Sequence, residues 1–98
     1  MNDQDHLYII SYDIRDQKRW KKIYKTLKGF GEWLQLSVFQ CRLQKISALR
    51  LEAALRDIMN QSEDHVLIID IGPAENVQPK IHSIGKLFEP IQRRSLII

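Results

Sequence analysis

Two short runs of almost unbroken apolar character, HLYIISY at 6 to 12 and HVLIIDI at 65 to 71, constrain this chain more than any other feature. Both read as strands, and the continuous apolar and β-branched character of the first is the pattern of a strand buried on both faces or set centrally in a sheet. The first predicts the middle strand of the sheet. The second ends at Gly72-Pro73.

Between the two runs the periodicity changes. Trp20, Ile23, Tyr24 and Leu27 recur at helical spacing after Asp16, a residue suited to cap a helix, and Gly29 and Gly31 stop the pattern. Glu32 to Gln44 is strand-like again, but thirteen residues exceed an ordinary strand, so it is either one long bent strand or two short ones joined by a bulge or tight turn. Ser47 is placed to cap a second helix whose buried side carries Ala48, Leu51, Leu55, Ile58 and Met59, with NQSED ending it. After the second apolar run comes a loop-rich stretch with one short helical turn, and the apolar end SLII predicts a further strand, in this sheet or in a partner's.

Strands interleaved with two helices in so short a chain predict an α+β fold, a ferredoxin-like βαββαβ sandwich with an extra C-terminal strand. The expected organisation is one domain over residues 1–98, with a core of about 6–72 and a dimer-contact tail of about 73–98. Both helices on one sheet face leave the other uncovered, which predicts a two-fold homodimer. The single Cys41 excludes an internal disulfide and paired-cysteine zinc chemistry, and it suits a reducing compartment. The N-terminus MNDQDHLY lacks the charge and apolar core of a signal peptide, and no apolar run reaches membrane-spanning length. The expected location is the cytoplasm, with no membrane partner.

Net charge is +3, but seven of the fifteen Lys and Arg residues (Arg15, Lys18, Arg19, Lys21, Lys22, Lys25, Lys28) fall between positions 15 and 28, opposed only by Asp16. Such a density of like charge reads equally as a solvated helix face or as a surface for a polyanion such as RNA or DNA. Arg15, Lys18, Arg19, Lys22, Lys25 and, further along, Arg42 are the candidate nucleic-acid contacts.

Asp13 ends the first strand on the face it shares with Leu7, Ile9 and Ser11, at the carboxyl end of an expected central strand. By spacing alone its role is to accept backbone hydrogen bonds ahead of the helix. It lacks company, since no HxxxH, HExxH or DxD occurs and His6, His65 and His82 are scattered. One carboxylate per chain holds Mg²⁺ only loosely, but two chains about a two-fold axis would bring two. Arg19 leans back toward the loop that carries Asp13, where its planar fork suits a phosphate. Ser37 and Phe39, two residues apart, face the same way, and Phe39 either stacks on a base or packs in the core.

SYDI at 11–14, the basic helix with Arg19, LKGFG at 27–31 and QLSVFQCRL at 35–43, followed by HSIGK at 82–86 and RSLII at the end, resemble the Cas-two family of CRISPR-associated proteins over nearly the whole chain. That resemblance implies a ferredoxin-like homodimer whose C-terminal strand extends the partner's sheet. It implies metal-dependent cleavage of RNA or duplex DNA, and a place at the centre of a complex with the Cas-one integrase in spacer acquisition. By motif it makes Asp13 the ligand for Mg²⁺, or for another divalent cation such as Mn²⁺, paired with its copy. It places Arg19, Ser37 and Phe39 with Asp13 at positions linked to activity. The family often has two acids after YDI, where this chain has Arg15-Asp16-Gln17. A nuclease and a non-catalytic scaffold that grips nucleic acid for the integrase are the two functions expected, and Asp13 is needed only by the first. A ribonuclease toxin of the related VapD-like group shares the fold and strand motif.

Overall fold

A computed structural model describes residues 4–86. Strand β1 (His6–Asp13) leads into helix α1 (Gln17–Lys28), a hairpin of β2 (Glu32–Gln35) and β3 (Val38–Leu43), helix α2 (Lys45–Ile58) and strand β4 (His65–Pro73). The four strands form one antiparallel sheet in the order β2-β3-β1-β4, so the first apolar run is a central strand as its composition requires. A 3₁₀ turn at Ala74–Asn76 is the short helical turn after it. The terminal segment SLII and its strand pairing lie outside the described residues.

Alternation on β1 and β3 sorts the side chains into two faces. Tyr8, Ile10 and Tyr12 point to the helices, with Phe39, Cys41 and Leu43 beside them in register and Ile23, Tyr24, Leu27, Leu51 and Leu55 above. Both helices therefore cover one face. At roughly 1.5–3 kcal/mol for each fully buried large apolar side chain, this layer supplies most of the cohesion of the domain. The other face carries Ile9, Ser11 and Asp13 of β1 next to Ile69, Leu67 and His65 of β4. The 3₁₀ turn packs over its Leu7 end, where Leu7 is fully buried, but toward Ile69 and Leu67 the face is open among the described residues, Leu67 being 48% and Ile69 43% exposed.

Helix α1 begins where the sequence places it. The Asp16 side chain accepts the Arg19 backbone N–H at 3.0 Å, while Lys25 and Lys28 sit at the end where the helix dipole favours cations. Helix α2 departs from expectation. It starts at Lys45 with Gln44 as its extended cap residue and no side-chain cap, so Ser47 lies inside the first turn instead of before it. The bond from the Ala48 N–H to the Gln44 carbonyl, 3.0 Å, closes that first turn without help from a hydroxyl.

The long segment 32–44 resolves into two strands. The chain reverses at Leu36, whose φ of 40° is left-handed, a conformation costing about 1–2 kcal/mol for a residue with a side chain. The Trp33 indole N–H donates to the Leu36 carbonyl at 3.0 Å and fastens the turn.

Gly29 and Gly31 both follow α1, but for different reasons. Gly29 has an ordinary helical φ of −76°. Gly31 passes so close to β3 that a Cβ would collide with the Cys41 sulfur and the Gln40 carbonyl oxygen. Gly31→Ala should therefore cost about 1–3 kcal/mol in urea unfolding, the range for forcing extra atoms into a packed site, whereas Gly29→Ala should change stability by less than about 1 kcal/mol. Equal effects at the two positions would contradict this packing.

Candidate nucleic-acid-processing site at the end of the central strand

Asp13 is the last residue of β1 and is exposed. Its carboxylate has no hydrogen-bond or ion-pair partner among the described residues, so the local capping role suggested by spacing is not the one it plays. Other acids do that work. Asp16 caps α1, and Asp64, in the turn before β4, binds the loop that follows Asp13.

The Asp64 side chain is fully buried, and four donors converge on it. Oδ1 accepts the Arg15 backbone N–H at 2.9 Å and Arg19 Nη2 at 3.2 Å; Oδ2 accepts Arg19 Nε at 2.7 Å and the Asn60 backbone N–H at 2.8 Å. Arg19 Nη2 also donates to Glu63 Oε1 at 2.9 Å. A buried carboxylate is stable only with such company. The Arg19 guanidinium holds the Asp64 carboxyl well below the usual carboxylate range, with the two backbone amides adding to the effect, and Asp64 in turn pushes the Arg19 pKa up. Helix α1 has no acid in its own first turn, and Asp16 and Asp64 provide negative charge beside its N-terminus from outside.

The turn that presents Asp64 is built from its own sequence. Asn60 Oδ1 accepts the Ser62 N–H at 3.0 Å and the Ser62 hydroxyl at 2.8 Å, and the Asp64 N–H returns to the Asn60 carbonyl at 2.9 Å. NQSED thus ends α2 as expected and also carries Asp64, a buried acid bonded to the loop after Asp13 that no spacing in the sequence singles out. Its signal is the Asx-turn pattern of Asn60 and Ser62 placing an acid just before an apolar strand.

Sequence-nominated residues converge on the same strand end without meeting one another around a ligand. The Ser37 carbonyl accepts the Tyr12 N–H at 3.1 Å, pinning the residue before Asp13 from the β3 side. On the β4 side Asp13 pairs with His65. Phe39 is fully buried and lies 6.3 Å from the Tyr12 ring and 5.5 Å, edge-on, from that of Tyr24. Trp20 stacks on Tyr24 at 5.4 Å. Of the two readings of Phe39, core packing is therefore the one observed, since the ring offers no surface to a base. Burial also holds the Tyr12 phenol neutral and raises the Cys41 thiol to about 11, so neither is a nucleophile at neutral pH.

The cations divide. Lys18, Lys22 and Lys25 form one exposed row on α1, and Arg15 is exposed in the loop before it. Arg19 is not in that row, because its fork is spent on Asp64. Arg42 lies at the far end of the sheet, opposite Leu7, with Nη1 3.4 Å from the Ala74 carbonyl. Among the described residues no three His, Cys, Asp or Glu side chains gather where they could hold a metal ion. Asp13 fits the hard oxygen donor that Mg²⁺ or Mn²⁺ takes, as a single ligand per chain with the remaining positions left to waters, phosphate or a second copy.

Fold and site together define a small ferredoxin-like sandwich with a carboxylate, unengaged among the described residues, at the end of its central strand and a basic helix alongside. The chain belongs to the CRISPR-associated Cas2 family, whose model, described as CRISPR associated protein Cas2, matches residues 6–78. It is 62% identical over 94 residues to the CRISPR-associated endoribonuclease Cas2 of Geobacter sulfurreducens, covering 96% of this chain and 99% of that protein. It is 44% identical over 97 residues to CRISPR-associated endoribonuclease Cas2 1 of Rhodospirillum rubrum, covering 99% and 95% of the two chains. Among solved structures, a hypothetical protein TT1823 from Thermus thermophilus superposes with a TM-score of 0.73 at 32% identity, covering 87% of this chain and 99% of that one. A structure described as cas2 also gives 0.73, at 31% identity, covering 89% and 94%. No helix among the described residues is long and apolar enough to cross a membrane.

Asp64 stays ionised in the fold at pH values where the unfolded chain would protonate it, near an ordinary Asp pKa of about 3.9. Its contribution is thus complete above that value and drains away as pH falls toward the depressed folded pKa. In urea unfolding, wild type should exceed Asp64→Asn by about 3 kcal/mol at neutral pH, and the gap should narrow steadily below about pH 4. A gap that is constant down to pH 2.5 would contradict the buried ion pair.

Proposed function

We propose that the chain is a metal-dependent endonuclease that cuts RNA phosphodiester bonds as a homodimer, in CRISPR spacer acquisition and antiviral defence. The carrying observation is Asp13: a carboxylate with no hydrogen-bond or ion-pair partner among the described residues, at the end of a central strand, on a sheet face exposed around Leu67 and Ile69, while Asp16 and Asp64 are engaged in structural bonds. The half-exposed Leu67 and Ile69 on that face favour its burial against a second copy, which would bring two Asp13 side chains toward one axis. The relatives' description as endoribonucleases favours RNA over duplex DNA.

Asp13 and its copy would hold Mg²⁺, or Mn²⁺ in its place. Such an ion polarises a phosphate oxygen and lowers the pKa of a bound water. The chain's own part is to present the carboxylates, to keep Asp13 fixed through the ladder and the Asp64 bonds, and to attract the nucleic-acid backbone with Arg15, Lys18, Lys22 and Lys25. Arg42 is placed to touch a strand only if it runs across the far end of the sheet.

Asp13→Ala should fold and dimerise as wild type yet cleave RNA at least about 100-fold more slowly, and EDTA should have the same effect on wild type. Undiminished cleavage by the variant would reject this assignment.

The exposed lysine row supports a second reading, a scaffold dimer that holds duplex DNA for the Cas-one integrase and does no chemistry, since Lys18, Lys22 and Lys25 serve it without Asp13. Reversing all three to Glu should weaken nucleic-acid binding and flatten the dependence of log affinity on log salt by about two to three, as roughly 0.7–0.9 counterion is released per phosphate contact. An unchanged slope in filter-binding titrations would place the nucleic acid on another surface.

A further inference from the structure

Resting on the nuclease reading, we infer that Asp64 is the positioning residue of the site, and that Arg19 acts through it instead of contacting a substrate phosphate. Asp13 pairs with His65, the residue directly after Asp64, and this is the last rung of the β1–β4 ladder. Beyond it no backbone pairing can hold the loop. The Asp64 side chain takes over at that point, binding the Arg15 N–H two residues past Asp13.

Arg19 completes a closed circuit. Its backbone N–H donates to Asp16, which fixes the start of α1, and its side chain returns to Asp64, so residues 15 to 19 are tied to the 60–64 turn at both ends. Nε and both hydrogens of Nη2 are committed, to Asp64 and to Glu63, which leaves only Nη1. Bidentate capture of a phosphate needs donors on two nitrogens, and every such pair of this guanidinium includes a committed one. The local charge points the same way. One guanidinium faces two carboxylates, so the charge of Arg19 is already matched within the cluster.

The Asp64 side chain is fully buried behind its four donors, out of reach of a substrate or a metal ion. It sets where the Asp13 carboxylate stands, and displacements of about 1 Å at a reacting centre cost on the order of 100-fold in rate.

The test is a double-mutant cycle on the homodimer with Asp64→Asn, Arg19→Gln and both together, scored by single-turnover cleavage of a short RNA at saturating protein and by the salt dependence of RNA binding. Each single variant should cut about 10- to 100-fold more slowly with unchanged affinity and salt slope, and the double variant should be no slower than the worse single one. Arg19→Lys, which can still donate to Asp64, should recover part of the rate that Arg19→Gln loses. Should Asp64→Asn fail to fold, the Arg19→Gln and Arg19→Lys pair carries the test alone, and equal loss of rate in both would overturn the inference. It is also overturned if Arg19→Gln weakens binding and lowers the salt slope by about 0.7, the signature of a lost contact to single-stranded RNA, or if the two losses multiply. Failure of the nuclease reading shows separately, as Asp13→Ala cleaving like wild type. The binding arm then still decides whether Arg19 meets a phosphate.

Discussion

A single buried carboxylate, with a guanidinium and two backbone amides around it, ties the loop after β1 and the first turn of α1 to the turn before β4. An ionised Asp in the interior is tolerable only if its lone pairs are filled, and each of the four donors at Asp64 comes from a segment that must be placed for the site to exist: the loop after β1, the first turn of α1 and the turn before β4. Helix α1 has basic side chains at the end where its dipole disfavours them, and the acids that offset this arrive from the cap and from across the fold. The same bonds that stabilise the helix start therefore fix the residue next to the strand end.

The two-face character of β1 supplies the rest. Tyr8, Ile10 and Tyr12 are drawn into the core with Phe39 and the aromatic pair Trp20 and Tyr24, which makes the strand end stiff. The residues between them, Ile9, Ser11 and Asp13, face outward. Placing a carboxylate one position after a buried tyrosine is thus enough to deliver it to the uncovered side, beside the apolar side chains of β4. Arg19, Ser37 and Phe39 share a common logic: each bears on the end of β1, by an ion pair, a backbone carbonyl and a packed ring respectively.

Much of this was legible in the sequence, and the exceptions have physical causes. The apolar composition of 6–12 marked the central strand, Asp16 marked the start of α1, and the alternation of strands and helices marked the sandwich, because each is a local property. The cap of α2 falls at Gln44 and not at Ser47, since a hydroxyl near a helix start signals a cap only where the backbone turns. The reversal at Leu36 was open because leucine carries no turn signal; the indole of Trp33 holds it in a conformation it does not favour. Arg19 was nominated for its charge, but its partner lies 45 residues away, and no periodicity connects the two. Asp13 stood out for its position, and only the structure shows that the neighbouring acids, and not Asp13, satisfy the backbone.

The central claim, that the loop behind Asp13 is locked by a side chain where the sheet ends, is tested most directly by native-state amide hydrogen exchange at Arg15. The account predicts protection comparable with that of the β1 ladder amides, although Arg15 lies outside every strand and helix, and its loss in Asp64→Asn. Exchange of the Arg15 amide near the rate of an unstructured peptide, in a protein whose β1 amides remain protected, would contradict it.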